Sequence, residues 1–226
     1  MIKLAKLIGV NFGAIYLTIM SLLQGIVISL LVPSFLQYFD LATHPFSDIH
    51  IVPYLIMLQI IFTVWHHYAM GVFYLRWFPN LIDTFIPFMI SILQFTMVSF
   101  LEIEDSVSDI ALDKWIISFG VFMLLGCFAY FAAYVRLNPE YFTNMMALEN
   151  AKAHVRRTGR FHFWAGVSIL FQGLFALLIA LVGNPNLLYI SLVLFMLHIL
   201  VSEYVFIYII RPPFAKAMGE YDQVDI

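Results

Sequence analysis

Charge is what this chain has least of. Only 11% of its 226 residues are Asp, Glu, Lys or Arg, against 63% hydrophobic and 17% aromatic, whereas about a quarter of a soluble domain is charged. That scarcity excludes a soluble globular protein and places the chain in lipid. A basic surplus is also missing: the formal net charge is -3, and nothing supports nucleic-acid binding. Cysteine occurs once, at Cys127, which excludes an intramolecular disulfide. Its place inside an apolar run suits a small packing residue. No Pro-, Gly- or Ser-rich linker divides the chain, so residues 1–226 read as one domain. No internal repeat is apparent, which counts against the common inverted-repeat transporter architectures. P-loop, GxSxG, HExxH and histidine-box patterns are absent, and the acidic and histidine residues show no reaction spacing, which favours a non-catalytic role. The first apolar run outlasts a signal-peptide core and lacks a small-residue cleavage pattern, so it reads as a first span.

What the chain does have is six apolar runs: Ile8–Pro33, Ile51–Leu75, Leu81–Leu101, Trp115–Val135, Phe163–Val182 and Leu187–Ile210. Each is about 20 residues or more, the length at which a helix crosses a hydrocarbon layer about 30 Å thick. Only helices and closed barrels satisfy every backbone group in lipid, and these runs lack the alternation of barrel strands. The expected fold is all-α, a polytopic integral membrane bundle of six transmembrane helices. Ten of the eleven Lys and Arg residues then fall on one side, Lys114 being the exception. The opposite side carries Asp40, Asp48, Glu102, Glu104, Asp105, Asp109 and Asp113. Positive charge is retained on the cytoplasmic side, so both termini are expected there. Trp77, Trp115 and Trp164 lie at run boundaries and suit interfacial anchoring or ordinary packing.

Between spans four and five, residues 138–158 read as a cytoplasmic helix. Asn138 suits its cap, Pro139 its first position and Glu140 its positive end, with Arg156, Arg157 and Gly159 marking termination. Tyr141, Phe142, Met145, Met146 and Leu148 suit a membrane surface, and Lys152, Arg156, Arg157 and Arg160 suit anionic lipid headgroups. Docking of a cytoplasmic protein partner is the competing use, and a solvated basic loop the plain one.

Polar residues at membrane depth are costly and mark interiors or pathways. In span two, Gln59, Thr63, His66, Met70 and Tyr74 recur at helical spacing on one stripe, with His67 at its edge. In span six, Ser191, His198 and Ser202 share a face, and Glu203 projects about 100° further round. Glu203 lies at a depth comparable with His66 and His67, so contact is permitted if the two spans adjoin. Asp83 faces Arg76 across a short turn, either as a register-holding pair or as a pore mouth near Pro87, with Ser91 and Gln94 extending its face. These residues motivate an ion- or proton-conducting channel or transporter whose candidate path is His66, His67, His198, Glu203, Asp83 and Gln59. A dry polar network joining helices is the plain alternative, and a membrane sensor or scaffold acting through the cytoplasmic helix is the second function.

No cofactor is expected. Haem or metal on His66, His67 and His198 is a minor alternative, since adjacent histidines diverge by about 100° on a helix. Six helices leave little room for a wide pore, so a homo-oligomer is expected. Small-residue stripes, Asn11, Ala14, Thr18, Ser21, Gly25 and Ser29 in span one and Ala165, Ser168, Gln172, Ala176 and Ala180 in span five, permit close helix approach. Gln24, Gln59, Gln94 and Gln172 are candidates for interhelical hydrogen bonds. The acidic segment from Glu102 to Asp109 reads as a solvated loop or a cation-gathering entrance.

Overall fold

A computed structural model describes residues 2–42, 46, 48–74, 81–103, 106–107, 110–143 and 145–222, with the side chains of 2–16, 72–74, 81–84 and 218–222 outside the description. The helices are α1 (Ile2–Leu41), α2 (Ile51–Tyr74), α3 (Leu81–Ser99), α4 (Leu112–Arg136), α5 (Leu148–Val182), α6 (Leu188–Tyr204) and α7 (Arg211–Asp222). A π-helical segment, Val205–Ile210, joins α6 to α7 without a break in the chain's helical course.

Five stretches are long and apolar enough to cross a membrane: Leu17–Leu41, Ile51–Gly71, Leu112–Arg136, Leu148–Val182 and Pro185–Ala217. The chain is thus a multi-pass integral membrane protein with an all-helical fold. The third expected span differs from these. Its described apolar part, Phe85–Ser99, is shorter, although α3 as a whole has 19 residues, about 28 Å at helical rise. Pro33 does not end the first helix, and Pro87 lies inside α3. Membrane helices tolerate proline because neighbouring groups satisfy the freed backbone.

The principal neighbours of each helix close a ring in the order α1, α2, α6, α5, α4, α3 and back to α1. The α4–α5 seam is tightest because glycines face one another across it. A Cβ added at Gly173 would lie 3.1 Å from the Met123 Cβ and 3.2 Å from the Gly120 carbonyl oxygen. With no Cβ at these positions the backbones approach, and dispersion holds helices together where lipid offers no hydrophobic drive. Polar ties close other seams. Gln24 and Gln94 exchange two amide hydrogen bonds of 3.0 Å between α1 and α3. Trp65 Nε1 donates to Ser21 Oγ at 3.1 Å between α2 and α1. Ser34 and Tyr54 contact one another at 2.9 Å, and both reach the Leu101 carbonyl beyond α3. Trp115 is fully buried and stacks on Phe119 with ring centroids 5.3 Å apart. It is a core residue, whereas Trp164 is 66% exposed.

The element expected over 138–158 takes another form. Asn138 caps as its sequence suggests, accepting the Glu140 N–H at 3.0 Å, but the element it starts is a single 3₁₀ turn, Pro139–Phe142. Helix α5 begins at Leu148 and continues through Arg156, Arg157 and Gly159 to Val182, 35 residues in all. Gly159 is a contact point rather than a stop. It is buried against α4, where an added Cβ would meet Leu137 and Tyr134 at 3.5 Å. The terminating glycine is Gly183, at φ +68°, whose N–H bonds the Ile179 carbonyl, the left-handed cap that glycine adopts without a Cβ penalty. Phe142, Met146, Ala151 and Ala217 form a small separate core that ties the 3₁₀ turn to α5 and α7.

Arg76, Trp77, Glu104, Asp105 and Asp109 lie outside the described residues, as do the Asp83 and Tyr74 side chains. The pair and pore mouth expected around Asp83 lie there with them.

Candidate functional site

The ring order places the polar residues of α2 beside those of α6. His66 Nε2 lies 2.8 Å from Glu203 Oε1, each side chain 34% exposed. The oxygen sits off the ring's N–H direction, since His66 Nε2 has no aligned hydrogen-bond partner. The contact is therefore an ion pair when the imidazole is protonated, more than a directed hydrogen bond. Adjacent residues on a helix diverge, so His67 points elsewhere, toward α4. There the Tyr130 hydroxyl lies 3.2 Å from His67 Nδ1 and 3.4 Å from Nε2.

Tyr130 is the hub of the cluster. Its ring centroid is 5.7 Å from that of His67, 5.9 Å from His162 and 6.2 Å from His198. His198, buried as expected on the face it shares with Ser191 and Ser202, contacts Ser168 Oγ of α5 through Nδ1 at 3.1 Å. Ser168 Oγ in turn accepts from Gln172 Nε2 at 3.3 Å. His162 Nδ1 lies 2.8 Å from the Thr158 carbonyl one turn earlier. A carbonyl only accepts, so Nδ1 carries the proton and Nε2 of the neutral ring is an acceptor.

Inside the ring is a partly open cavity of about 130 Å³ whose walls come from α2, α3, α4, α5 and α6. Its lining is mainly apolar, including Ile60, Ile86, Ile90 and Phe122, with Thr63, His67, Tyr130 and His162 supplying polar groups. Among the described residues, Gln59 Oε1, Thr63 Oγ1, Ser191 Oγ and His198 Nε2 are buried without a hydrogen-bond partner.

Along the bundle, His198 precedes Glu203 by about 7.5 Å at helical rise, and Gln172 extends the line by about 6 Å from Ser168. Three close polar contacts thus lie along these helix faces, Glu203–His66, His67–Tyr130 and His198–Ser168, with ring centroids 5.9 Å apart between His66 and His67 and 6.2 Å apart between Tyr130 and His198. Not every expected site residue joins them. Gln59 finds no partner for its oxygen. Lys152, Arg156, Arg157 and Arg160 lie apart, exposed on the N-terminal part of α5 opposite buried Ala151, His154 and Thr158. Arg157 there borders a second hollow with Asn150, His154 and Lys216. His66, His67 and His198 do not converge as a ligand set. Among the described residues no three His, Cys, Asp or Glu side chains are arranged to hold a metal ion.

Sequence reasoning missed Tyr130 and His162 as site residues. His162 falls one residue before the apolar run taken for span five, and reading Thr158 and His162 as one helical turn would have drawn it in. Tyr130 is one aromatic among several in α4, and its spacing gives no signal. Ser168 was read only as part of a packing stripe. No protein-family model, curated protein or solved structure matches the chain, which leaves the geometry of this cluster as the guide to function.

Proposed function

We propose that the protein conducts protons across its membrane along the polar track on α2, α4, α5 and α6. The observation that carries this reading is the His66–Glu203 pair at 2.8 Å, set within helices whose other residues are overwhelmingly apolar. A carboxylate at membrane depth is expensive, and its retention is explained by a partner that shares its proton. His67 and Tyr130 continue the series, and His198 and Ser168 extend it toward Gln172. The spaces between the His66 and His67 rings, 5.9 Å between centroids, and between Tyr130 and His198 are crossed by ring reorientation or by water. In this reading α3 completes six passes, both termini are cytoplasmic, and copies of the chain assemble as a homo-oligomer.

Reconstitution into liposomes enclosing a pH-sensitive dye, under an imposed potential, tests the proposal. Glu203→Gln and His66→Gln each remove a titrating group while keeping its size. Both are expected to lower proton flux by about tenfold or more, on the scale of losing a positioned proton-transfer group. Arg156→Gln, on the exposed part of α5, serves as the control with unchanged flux. Flux in either track variant equal to that of the parent protein would sink the reading.

A second reading is favoured by the four exposed cations of α5. Lys152, Arg156, Arg157 and Arg160 hold anionic lipid headgroups or a cytoplasmic protein, and the bundle anchors this basic surface. Replacing all four by Gln is expected to abolish retention of anionic lipid during purification while leaving the fold intact. Unchanged lipid retention would remove headgroup binding from this reading.

A further inference from the structure

We infer that the hollow between the N-terminal part of α5 and α7 binds a phosphomonoester group, of a lipid headgroup or of a free phosphorylated solute, through Arg157 and Lys216. The inference stands apart from proton conduction and from the basic-surface reading, with which it shares only Arg157. It begins with helical spacing. Asn150, His154 and Arg157 recur at intervals of four and three and so lie along one stripe of α5. Together with Pro213, Phe214 and Lys216 of α7 they line a space of about 160 Å³. At about 30 Å³ for each water, the space holds about five waters, comparable with the five heavy atoms of a phosphate. The His154 ring fixes the register of the two helices, its centroid 4.8 Å from that of Phe214 and 4.9 Å from that of Phe142. Ala151 and Ala217, each about one turn away, belong to the small core beside it, so α5 and α7 run antiparallel there. The Arg157 and Lys216 backbones are then offset by about 7.5 Å along the helices, a gap that two long side chains span.

Charge decides what the hollow takes. Arg157 is exposed and has no ion pair or hydrogen bond among the described residues. His154 and Lys216 also engage other groups of the protein, so the unengaged guanidinium carries the site. The start of α5 adds donors. Its cap, Ala147, offers no side-chain acceptor to the leading N–H groups, and Asn150, in that first turn, lines the hollow. The positive end of a helix favours an anion. Donors on two helices approach from different directions, which suits the three diverging oxygens and about two negative charges of a phosphomonoester better than a planar carboxylate. Among the described residues no Asp or Glu lines the hollow. The Glu220 side chain, one turn beyond Lys216, lies outside the described residues and is tested separately.

The test uses the full chain in neutral detergent. Native mass spectrometry counts bound dioleoyl phosphatidate and dioleoyl phosphatidylglycerol, and rapid filtration measures radiolabelled inorganic phosphate. Saturable binding of one molecule per chain is expected, with phosphatidate favoured over the singly charged phosphatidylglycerol by about fivefold or more. Binding of phosphatidate alone assigns a lipid source, and binding of inorganic phosphate a solute source. Arg157 and Lys216 are both exposed, so Arg157→Gln and Lys216→Gln leave the fold intact, which thermal unfolding without phosphate checks. Each is expected to weaken binding by about tenfold or more, the scale of one charge-assisted hydrogen bond, with Arg157→Lys intermediate. Lys152→Gln, Arg156→Gln and Arg160→Gln combined are expected to leave this binding within about twofold. Binding unchanged in Arg157→Gln and Lys216→Gln, or lost equally in the triple variant, would overturn the site in favour of a diffuse basic surface. Absence of binding to the parent chain would overturn it as well, and its appearance only in Glu220→Gln would show that the chain's own carboxylate fills the hollow.

Discussion

Gln24 and Gln94 show how much one polar pair decides in this protein. Their side chains are 3% and 0% exposed, and each amide satisfies the other. Gln24→Leu leaves the Gln94 amide buried and unpaired, an expected loss of about 1–2 kcal/mol. Gln24→Leu combined with Gln94→Leu removes both polar groups and is expected to recover most of that loss. Reversible unfolding in mixed micelles measures the cycle, and a double variant as unstable as the single one would show that the pair is not what holds the seam. The sequence marks four such glutamines, and their outcomes diverge. Gln172 bonds Ser168 on its own helix, and the Gln59 oxygen has no partner. Helical periodicity gives the direction in which a side chain points but not which helix stands opposite. The same limit governed the site: the stripe through Thr63 and His66 was legible from spacing, whereas Tyr130 acquires its role only because α4 faces α2 across the cavity.

At the scale of the element, the α4–α5 seam predicts a contrast between two glycines. An added Cβ at Gly173 falls within 3.1–3.3 Å of Met123, Gly120 and Leu124 atoms, whereas at Gly126 its nearest neighbour is Ile169 at 3.5 Å. Gly173→Val therefore forces the helices apart, with an expected destabilisation of about 1–3 kcal/mol. Gly126→Ala meets only ordinary contact and gains helix propensity, so it is expected to be neutral or stabilising by up to about 1 kcal/mol. Thermal or denaturant unfolding of the two variants checks the order, and equal effects would mean that the seam is not limited by close approach. The helices themselves were legible because apolar runs of this length have few alternatives in lipid. Their ends were less so. Gly159 and the arginines before it carry local stop signals, yet burial against Tyr134 and Leu137 keeps α5 intact. Asn138 and Pro139 carry valid start signals, but only for one turn, because capping fixes where a helix begins and packing fixes how far it runs.

For the whole molecule, the closed order of six helices was beyond the reach of the sequence, since apolar runs of similar composition are interchangeable until side-chain shapes meet. The ring makes a topological prediction. In a Cys127→Ser background, Phe46→Cys and Ser106→Cys are expected to react with a membrane-impermeant maleimide from the same side, and Lys152→Cys from the opposite side. Reaction of Phe46→Cys and Ser106→Cys from opposite sides would mean that α3 does not cross. The unbroken course of α5 has a mechanical consequence for this assembly. Its 35 residues make a rod about 52 Å long, so about 20 Å projects beyond a hydrocarbon layer about 30 Å thick. Its arginine-bearing tip and the histidine it presents to the cavity move as parts of one stiff body. A tilt of about 10° would swing the tip by roughly 4 Å at that reach. Any load placed on those arginines, by a charged surface or a docked protein, is delivered as leverage to the wall that holds His162 and Ile169.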